Sequence, residues 1–405
     1  MKIIQIATST DGGAGIAARR LNLTLNGYGE DSTLFSGSSP KLTIEENENI
    51  QKKNFIIRNY SRFLTFFQRF LLQRNVYLMT PWSIQTTSSS WILDAKPDII
   101  HIHTFYNLLS TETISDLCES GKPIFITLHD ERFYTGGCHH ALGCANFKSE
   151  CAHCPQSRAL FDPLVVRQQR KLSESFKKAK SLTVIAPSDW IAARARRSKV
   201  LEFADVVKIN NPLESEFISN SILEKKGKKP SSSFVVSFVA QDLFNPYKGL
   251  KTLLKCIEIY KNEFIKQQIL FMFVGRGPEI DIKELKFRQI DKLFTSQMTN
   301  IYFETDLLIV PSLVDNSPNV IFEALACGTP FVGSDQAGIP EISAIFGMET
   351  FVYGDPHSMF RAIIKQKESQ LDPVWVRNTA LELVHPDKVA ARVLELYRSK
   401  LTEEV

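Results

Sequence analysis

The stretch 311–328, PSLVDNSPNVIFEALACG, places two carboxylates around the start of a predicted helix. Ser317, which is followed by proline, is typical of a helix N-terminus, and Gly328 is typical of a helix end. The free N–H groups of a helix N-terminus bind anions such as a diphosphate. Asp315 and Glu323 can accept hydrogen bonds from sugar hydroxyls. This pattern predicts a site for a sugar joined to a diphosphate; a capped helix with two ordinary surface acids is the alternative.

Two cations follow strand-like segments and could balance the charge of a diphosphate. Lys248 lies in Tyr-Lys-Gly, and Arg276 lies in Val-Gly-Arg-Gly. Cations and backbone N–H groups stabilise the negative charge that develops on a departing phosphate. The alternative for Lys248 is a solvated loop charge, which is common.

A glycine-rich segment follows the first strand-like run and precedes a helix predicted over 16–25. Gly12, Gly13 and Gly15 allow a tight turn, so that backbone N–H groups can approach an anion. The segment also fits the dinucleotide pattern GxGxxA. The next predicted strand, however, ends in Ser-Gly-Ser-Ser instead of the acid that would hold a ribose. A phosphate-facing loop is therefore favoured over a dinucleotide site, and a turn that binds nothing stays open.

Four cysteines lie in one predicted loop that ends in C-x2-C: Cys138, Cys144, Cys151 and Cys154. Four thiolates can hold a structural zinc ion in tetrahedral geometry. The gap between the first two cysteines is wider than in the usual zinc knuckle. A structural zinc site and a set of reduced thiols without metal both remain open.

The segment 54–77, NFIIRNYSRFLTFFQRFLLQRNVY, interleaves aromatic and basic residues at helical spacing. A basic amphipathic helix can lie in an anionic membrane surface. A core helix whose arginines extend to solvent fits equally well. Peripheral membrane contact and core packing are thus equal alternatives for this segment.

The bulk composition indicates a globular protein of more than one domain: 405 residues, 43% hydrophobic, 23% charged and a net charge of +4. So small a basic excess does not indicate a nucleic-acid partner, for which a concentrated basic face is typical. The N-terminus lacks the pattern of a secretion signal, and no apolar run reaches roughly 18 residues. We therefore expect a cytoplasmic protein whose seven cysteines stay reduced.

Apolar runs alternate with helical patterns, which is typical of β-α units around parallel sheets. Strands are predicted in the first half at 2–7, 32–36, 98–103, 124–129, 182–187 and 206–209. A charged stretch with serine and proline follows at 224–233. The second half then repeats the pattern, with strands at 233–240, 269–275, 306–311, 330–334 and 350–353, a helix over 250–264 and a last helix over 387–401. Two successive α/β sheets are predicted.

Together these motifs resemble the retaining glycosyltransferases of family 4 (group 1). Asp315 and Glu323, with seven residues between them, are similar to that family's Glu-x7-Glu, and the run 338–341, GIPE, follows in the expected order. The resemblance spans nearly the whole chain. The Asp-Asn-x-Pro-Asn form is similar to a subgroup that builds colanic acid and exopolysaccharides, in which a similar cysteine-bearing segment occurs.

The resemblance implies the GT-B fold, in which two Rossmann-like domains face each other across a cleft for donor and acceptor. It implies an acceptor-binding domain over 1–213 and a nucleotide-sugar-binding domain over 214–385. The helix in 386–405 would cross back to the first domain.

The implied reaction transfers a hexose from a nucleotide-diphosphate sugar to a saccharide acceptor, with retention of configuration and without a catalytic metal. The acceptor would be lipid-linked or a lipopolysaccharide, and the enzyme would work in cell-surface polysaccharide synthesis, at the inner face of the cytoplasmic membrane if segment 54–77 binds there.

The resemblance also implies roles for single residues. Asp315 would lie near the transferred sugar, and Glu323 would bind the nucleotide ribose. Backbone groups of Asn316, Ser317 and Asn319 would meet the sugar and the phosphates.

The remaining implied roles concern charge and the acceptor. Lys248 would neutralise the diphosphate, alone or with Arg276, because the arginine usual several residues earlier is absent from 240–243, AQDL. His129 would contact the donor sugar or support the acceptor, and a purely structural histidine is the alternative.

Two other functions stay open: a sugar-nucleotide-binding scaffold with weak catalysis, and a nucleotide-sugar epimerase of the same fold. Aspartate at position 315 and the absent arginine are the features that favour the scaffold.

Overall fold

The computed structural model describes residues 1–37, 79–81, 87–219, 233–282, 284–291 and 295–402. The segment 54–77 and residues 224–232 lie outside the described residues. The chain divides into two compact units, Met1–Ile209 with Ala390–Val405, and Asn210–Val389.

The first unit contains a parallel sheet of six strands in the order β2-β1-β3-β4-β5-β6. Its strands are β1 (Lys2–Ala7), β2 (Asp31–Ser36), β3 (Ile99–Ile102), β4 (Ile124–Thr127), β5 (Leu182–Ala186) and β6 (Asp205–Lys208). The central strands are buried on both faces because helices cover the sheet on either side, as is usual for parallel sheets.

Five helices connect these strands in the described part of the unit: α1 (Gly12–Gly27), α2 (Ser89–Asp94), α3 (Thr111–Glu119), α4 (Asp162–Phe176) and α5 (Asp189–Arg196). Ser110 and Ser188 start α3 and α5, where each hydroxyl accepts a hydrogen bond from a backbone N–H in the first turn. These caps end the preceding loops at defined residues.

The second unit repeats the design with the strand order β12-β11-β10-β7-β8-β9. Its strands are β7 (Phe234–Asp242), β8 (Ile269–Arg276), β9 (Phe287–Ile290), β10 (Leu307–Val310), β11 (Phe331–Ser334) and β12 (Thr350–Phe351). Its helices are α6 (Leu250–Ile259), α7 (Lys261–Lys266), α8 (Thr295–Glu304), α9 (Asn319–Ala326), α10 (Ile339–Phe346), α11 (Pro356–Glu368) and α12 (Pro373–Val384).

The predicted elements are present with few exceptions. Each predicted strand appears with ends within two residues of those expected. Strand β9 was not predicted, because its sequence FRQI alternates with polar residues and lies half-buried at the sheet edge. The helix predicted over 250–264 is interrupted at Tyr260, whose φ of −107° and ψ of 22° separate α6 from α7. The α/β class is confirmed.

The last helix, α13 (Pro386–Thr402), contributes its residues from Ala390 onward to the first unit. Tyr397 is fully buried there, with its ring 4.7 Å from that of Phe125 and its hydroxyl 2.6 Å from Nδ1 of His101. Among the described helices, none is long and apolar enough to cross a membrane.

Candidate functional site

Lys248 and Asp315 form an ion pair at the carboxyl edge of the second sheet. The Lys248 Nζ atom lies 2.5 Å from Asp315 Oδ2. Lys248 ends a short helical turn after β7, and Asp315 lies in the loop after β10. The side chains of Lys248 and Asp315 are 33% and 16% exposed, so that a ligand can reach both groups. The structure therefore brings these two predicted site residues into direct contact.

Gly249 holds the turn that carries Lys248 against the end of β10. Its φ is +78°, and a Cβ atom there would lie 1.8 Å from the carbonyl oxygen of Pro311. The backbone N–H of Leu313 donates to the Tyr247 carbonyl at 2.8 Å. Only glycine combines this dihedral with so close an approach, and the two loops are thereby fixed side by side.

Helix α9 begins at Asn319, and Pro318 is its N-cap residue. The predicted N-cap, Ser317, is therefore wrong by one residue, because Pro318 with ψ of 115° is still outside the helix. Ser317 is buried and its hydroxyl has no hydrogen-bond partner. Gly328, with φ of +67°, follows the C-cap residue as expected. No acidic residue lies in the first turn of α9, which suits an anion site.

Glu323 lies one turn inside α9 and is only 7% exposed. The hydroxyl of Tyr302 in α8 donates to Glu323 Oε2 at 3.0 Å. A carboxylate that is buried and oriented in this way is not an ordinary surface acid. Tyr302 was not predicted, because nothing in the sequence around it distinguishes it from a core aromatic residue.

Arg276 ends β8, directly opposite Asp242 at the end of β7. Its side chain is exposed, and among the described residues no hydrogen bond or ion pair involves its guanidinium. Gly275 allows this close pairing, because a Cβ atom there would lie 1.8 Å from the Ala240 carbonyl oxygen. An open groove of about 380 Å³ borders the same strand ends. It is lined by Gly275, Gly277, Glu279, Gln289 and Asp291.

The glycine-rich segment of the first unit forms the first turn of α1. The helix begins at Gly12 and not at residue 16, so Gly13 and Gly15 are helical instead of lying in a loop. Gly12 has a φ of +77°, and a Cβ atom at Gly15 would lie 2.2 Å from the Ser9 carbonyl oxygen. The first turn of α1 therefore follows the carboxyl end of β1, and the first N–H groups of a helix have no partner within the helix itself.

Three histidines gather at the carboxyl ends of β3 and β4. Nε2 of His129 lies 3.1 Å from Nδ1 of His103, and the rings of His101 and His103 stack with centroids 4.2 Å apart. Nε2 of His103 lies 2.8 Å from Oε1 of Gln5. His101 bonds to Tyr397 and, at 2.7 Å, to the Thr127 hydroxyl.

Burial keeps these three histidines uncharged at neutral pH. It lowers the pKa of His129 to about 4, against the opposing attraction of Asp130. Burial, with a smaller contribution from His129, lowers the pKa of His101 to about 3. The pKa of His103 also lies well below its usual value, through burial and the two neighbouring histidines. His101, bonded at both nitrogens inside the core, has a structural role.

The loop after β4 contains buried charged residues that were not predicted from the sequence. Glu131 is fully buried and accepts hydrogen bonds from Arg194 Nε at 2.5 Å, Tyr134 at 2.9 Å and the Ala141 N–H at 2.6 Å. Burial raises the pKa of Glu131, and Arg194 opposes the shift. The charged run HDER at 129–132, inside an apolar region, is the signal that could have indicated this network.

The four cysteines of this loop are all free. Hydrogen bonding with the Cys138 thiol and with the backbone at Gln156 and Ser157 lowers the pKa of Cys154 to about 6, although burial opposes the shift. Burial raises the pKa of Cys151 to about 12. Within the described ranges, no three His, Cys, Asp or Glu side chains are arranged to hold a metal ion. The described part of this loop therefore contains no formed set of zinc ligands.

The second unit contains the part of the chain that matches a known family. Residues 233–367 match the model described as glycosyl transferases group 1. These residues form a group 1 glycosyl transferase domain. The transferase domain includes Lys248, Arg276, Asp315 and Glu323, and the family resemblance seen in the sequence is confirmed.

A curated relative is similar to a larger part of the chain. The Escherichia coli (strain K12) protein that is named for a colanic acid biosynthesis glycosyl transferase, WcaC, is 23% identical over 284 residues. The matched region makes up 63% of this chain, and the chain spans 64% of the length of that protein.

Solved structures share the fold over nearly the full chain. Sucrose-phosphate synthase from Thermosynechococcus elongatus has a TM-score of 0.65 and 15% identity, with 99% of each chain covered. HepE from Anabaena, solved with UDP and glucose, has a TM-score of 0.56 and 14% identity, with 98% of this chain and 100% of that chain covered. Together with the two parallel six-stranded sheets, these likenesses confirm the GT-B fold.

Proposed function

We propose that this chain is a retaining glycosyltransferase that moves a hexose from a nucleotide-diphosphate sugar to a saccharide acceptor. One observation carries the proposal: in a group 1 transferase domain, the Lys248–Asp315 pair lies in the loops beside α9, where the buried Ser317 hydroxyl has no partner. A cation, a helix N-terminus and an unused donor together suit a diphosphate bearing a sugar.

Lys248 stabilises the departing diphosphate in this proposal. Asp315 neutralises the ammonium group in the absence of ligand, and the diphosphate takes over this role when the donor binds. The first-turn N–H groups of α9 and the Ser317 hydroxyl donate to the phosphate oxygens. Arg276, exposed at the neighbouring strand end, supplies the second positive charge in place of the absent arginine.

The sugar and the ribose are held by the two carboxylates. Asp315 accepts a hydrogen bond from a hydroxyl of the transferred sugar, and Glu323, oriented by Tyr302, binds the ribose. Asn316 and Asn319 contribute backbone groups to the sugar and phosphates, while Gly12, Gly13 and Gly15 present N–H groups to an anion. His129 contacts a sugar hydroxyl.

In the reaction, the bond between the sugar C1 and the diphosphate oxygen breaks, and the acceptor hydroxyl oxygen bonds to C1 on the same face. The hydroxyl proton passes to the departing diphosphate. Lys248 and the amide groups provide the charge stabilisation, so that no catalytic metal is required in this proposal.

The biological setting is also proposed. The relative named for colanic acid biosynthesis supports a role in cell-surface polysaccharide synthesis. HepE was solved with UDP, which supports a UDP-sugar as the first donor to test. A lipid-linked or lipopolysaccharide acceptor, and a location at the inner face of the cytoplasmic membrane, belong to the same proposal.

The test is release of nucleoside diphosphate from UDP-, GDP- and ADP-sugars, with and without an extract of lipid-linked saccharides. We expect one donor to give release that the acceptor stimulates. Lys248→Met and Glu323→Gln should lose this activity by about 10²-fold, since each removes a charged contact to the donor. Lys251→Met, on the exposed first turn of α6, is the matched control and should retain it.

Other outcomes would point to different functions. Tight donor binding with only trace release, in folded protein, would indicate a binding scaffold. Conversion of the donor into another nucleotide sugar would indicate an epimerase.

Structural zinc in the loop 138–154 remains a prediction. The pKa of Cys154 is lowered to about 6, which favours the thiolate that zinc binds, and rearrangement of Cys138, Cys144 and Cys151 around it would complete a set of four. Protein purified without chelators should then contain about one zinc per chain, and Cys154→Ser should lower the content. Zinc near zero in folded wild-type protein would refute the prediction.

A further inference from the structure

A row of hydrogen-bonded polar side chains ends at the ring of His129. The row runs from Asn22 and Ser32 through Gln5 and His103 to His129. Each step fixes the donor and the acceptor of the next one, starting from Oδ1 of Asn22, which accepts from the Ser32 hydroxyl.

Gln5 is fully buried in β1, and its amide orientation follows from its partners. The Ser32 hydroxyl donates to Asn22 Oδ1 at 2.9 Å, which uses its only proton. Ser32 Oγ therefore accepts from the Gln5 amide nitrogen, also at 2.9 Å. This leaves Gln5 Oε1, which can only accept, facing Nε2 of His103.

The proton of His103 must then lie on Nε2. A neutral imidazole has one N–H group, so Nδ1 of His103 presents a lone pair. Nε2 of His129 lies 3.1 Å from that lone pair and must donate to it. The two rings are 23° from parallel with centroids 5.3 Å apart, so the two nitrogens face each other nearly in the plane of the rings.

Burial favours the neutral forms of this pair, and the attraction of Asp130 for a charged His129 opposes it. His103 has buried His101 stacked on it, and burial lowers the pKa of each of the three histidines. The nearby carboxylate of Asp130 is engaged elsewhere, with Nδ1 of His139 at 2.6 Å and the Arg132 N–H at 2.9 Å. These contacts direct the Asp130 carboxylate toward His139 and Arg132 instead of toward the His129 ring.

We infer that Gln5 and His103 are positioning residues that hold His129 as the Nε2–H tautomer, with a bare Nδ1 that accepts a hydrogen bond from a sugar hydroxyl. His129 then cannot donate a proton to a phosphate. The nature of the hydroxyl rests on the proposed function, whereas the tautomer does not.

The test is NMR of the full chain labelled with ¹⁵N-histidine, without donor or acceptor, at neutral pH. We expect one-bond N–H coupling at Nε2 of both His103 and His129, and coupling across the hydrogen bond from His129 Nε2 to His103 Nδ1. A proton on Nδ1 of His103 or of His129 would overturn the inference.

Two variants test whether Gln5 sets this direction. Gln5→Met removes the acceptor, so that the proton between the two rings should distribute over both nitrogens and kcat/KM should fall by about tenfold. Gln169→Met, which changes a buried glutamine outside this row, is the control and should retain the wild-type tautomer. Unchanged coupling in folded Gln5→Met would show that Gln5 does not set the tautomer.

The two proposals fail separately. The coupling pattern is read without substrate, so an inactive protein with Nε2–H on His129 would contradict the proposed function and leave this inference standing.

Discussion

Asp315 forms an ion pair with Lys248 and, in the proposed function, accepts a hydrogen bond from the transferred sugar. Asp315→Asn should lower kcat/KM for the donor by about 10²-fold, because the carboxylate no longer holds a sugar hydroxyl or orients Lys248. Unfolding free energy should change by less than ~1 kcal/mol, since both partners are partly exposed. Steady-state kinetics and urea unfolding measure the two effects.

Asp242→Asn is the matched control for this change. Asp242 lies on the same sheet edge, and its Oδ1 atom accepts from the Phe244 N–H at 3.0 Å. Asparagine can keep that bond, so activity should stay near that of the wild type. Equal activity of the two variants would show that Asp315 does not contribute to the site.

At the scale of elements, Gly249 determines how closely the β7 and β10 loops approach. Gly249→Ala should destabilise the chain by about 1–3 kcal/mol more than Gly354→Ala. Both glycines have nearly the same φ, +78° and +79°, so the backbone strain of alanine is matched. The added Cβ would meet the Pro311 carbonyl at 1.8 Å in the first case and nothing within 4 Å in the second.

Urea unfolding of the two glycine variants gives the comparison, and the KM for the donor gives a second measure. KM should rise only in Gly249→Ala, because Lys248 is the preceding residue. Equal stability losses would mean that the loop contact is not tight in solution.

For the whole molecule, the buried histidines make stability depend on pH. Their pKa values in the folded state are lowered, to about 3 for His101 and about 4 for His129, whereas unfolded histidines titrate near 6.5. The unfolded chain therefore binds more protons as the pH falls below 6.5. Stability should fall from there to about pH 4, by up to ~1.4 kcal/mol per pH unit for each histidine.

Urea unfolding between pH 4.5 and 7.5, compared among variants, isolates this contribution. His101→Gln should reduce the slope of the unfolding free energy against pH by the contribution of about one histidine. His153→Gln should not, because the His153 side chain is 99% exposed. The same slope in both variants would contradict the burial of a neutral His101.

The sequence by itself determined the elements and the types of residue at the site. Apolar runs bounded by glycine and polar residues predicted each central strand, because burial on both faces of a parallel sheet demands them. Edge strand β9 was not predicted, since a half-buried strand has no continuous apolar run. Asp315, Glu323 and Lys248 could be selected because they follow predicted strands or lie around a predicted helix start, where α/β sheets bind their ligands.

Only the tertiary structure decided which of these groups meet. Lys248 and Asp315 are 67 residues apart, and Gln5 and His103 are 98 apart; strand order brings each pair to one sheet edge. Tyr302 on Glu323 and the unpaired Ser317 hydroxyl are likewise invisible to local patterns. Folding also lowers the pKa values of the three histidines. A pKa depends on burial and on neighbouring groups, and here most of those groups are distant in the sequence.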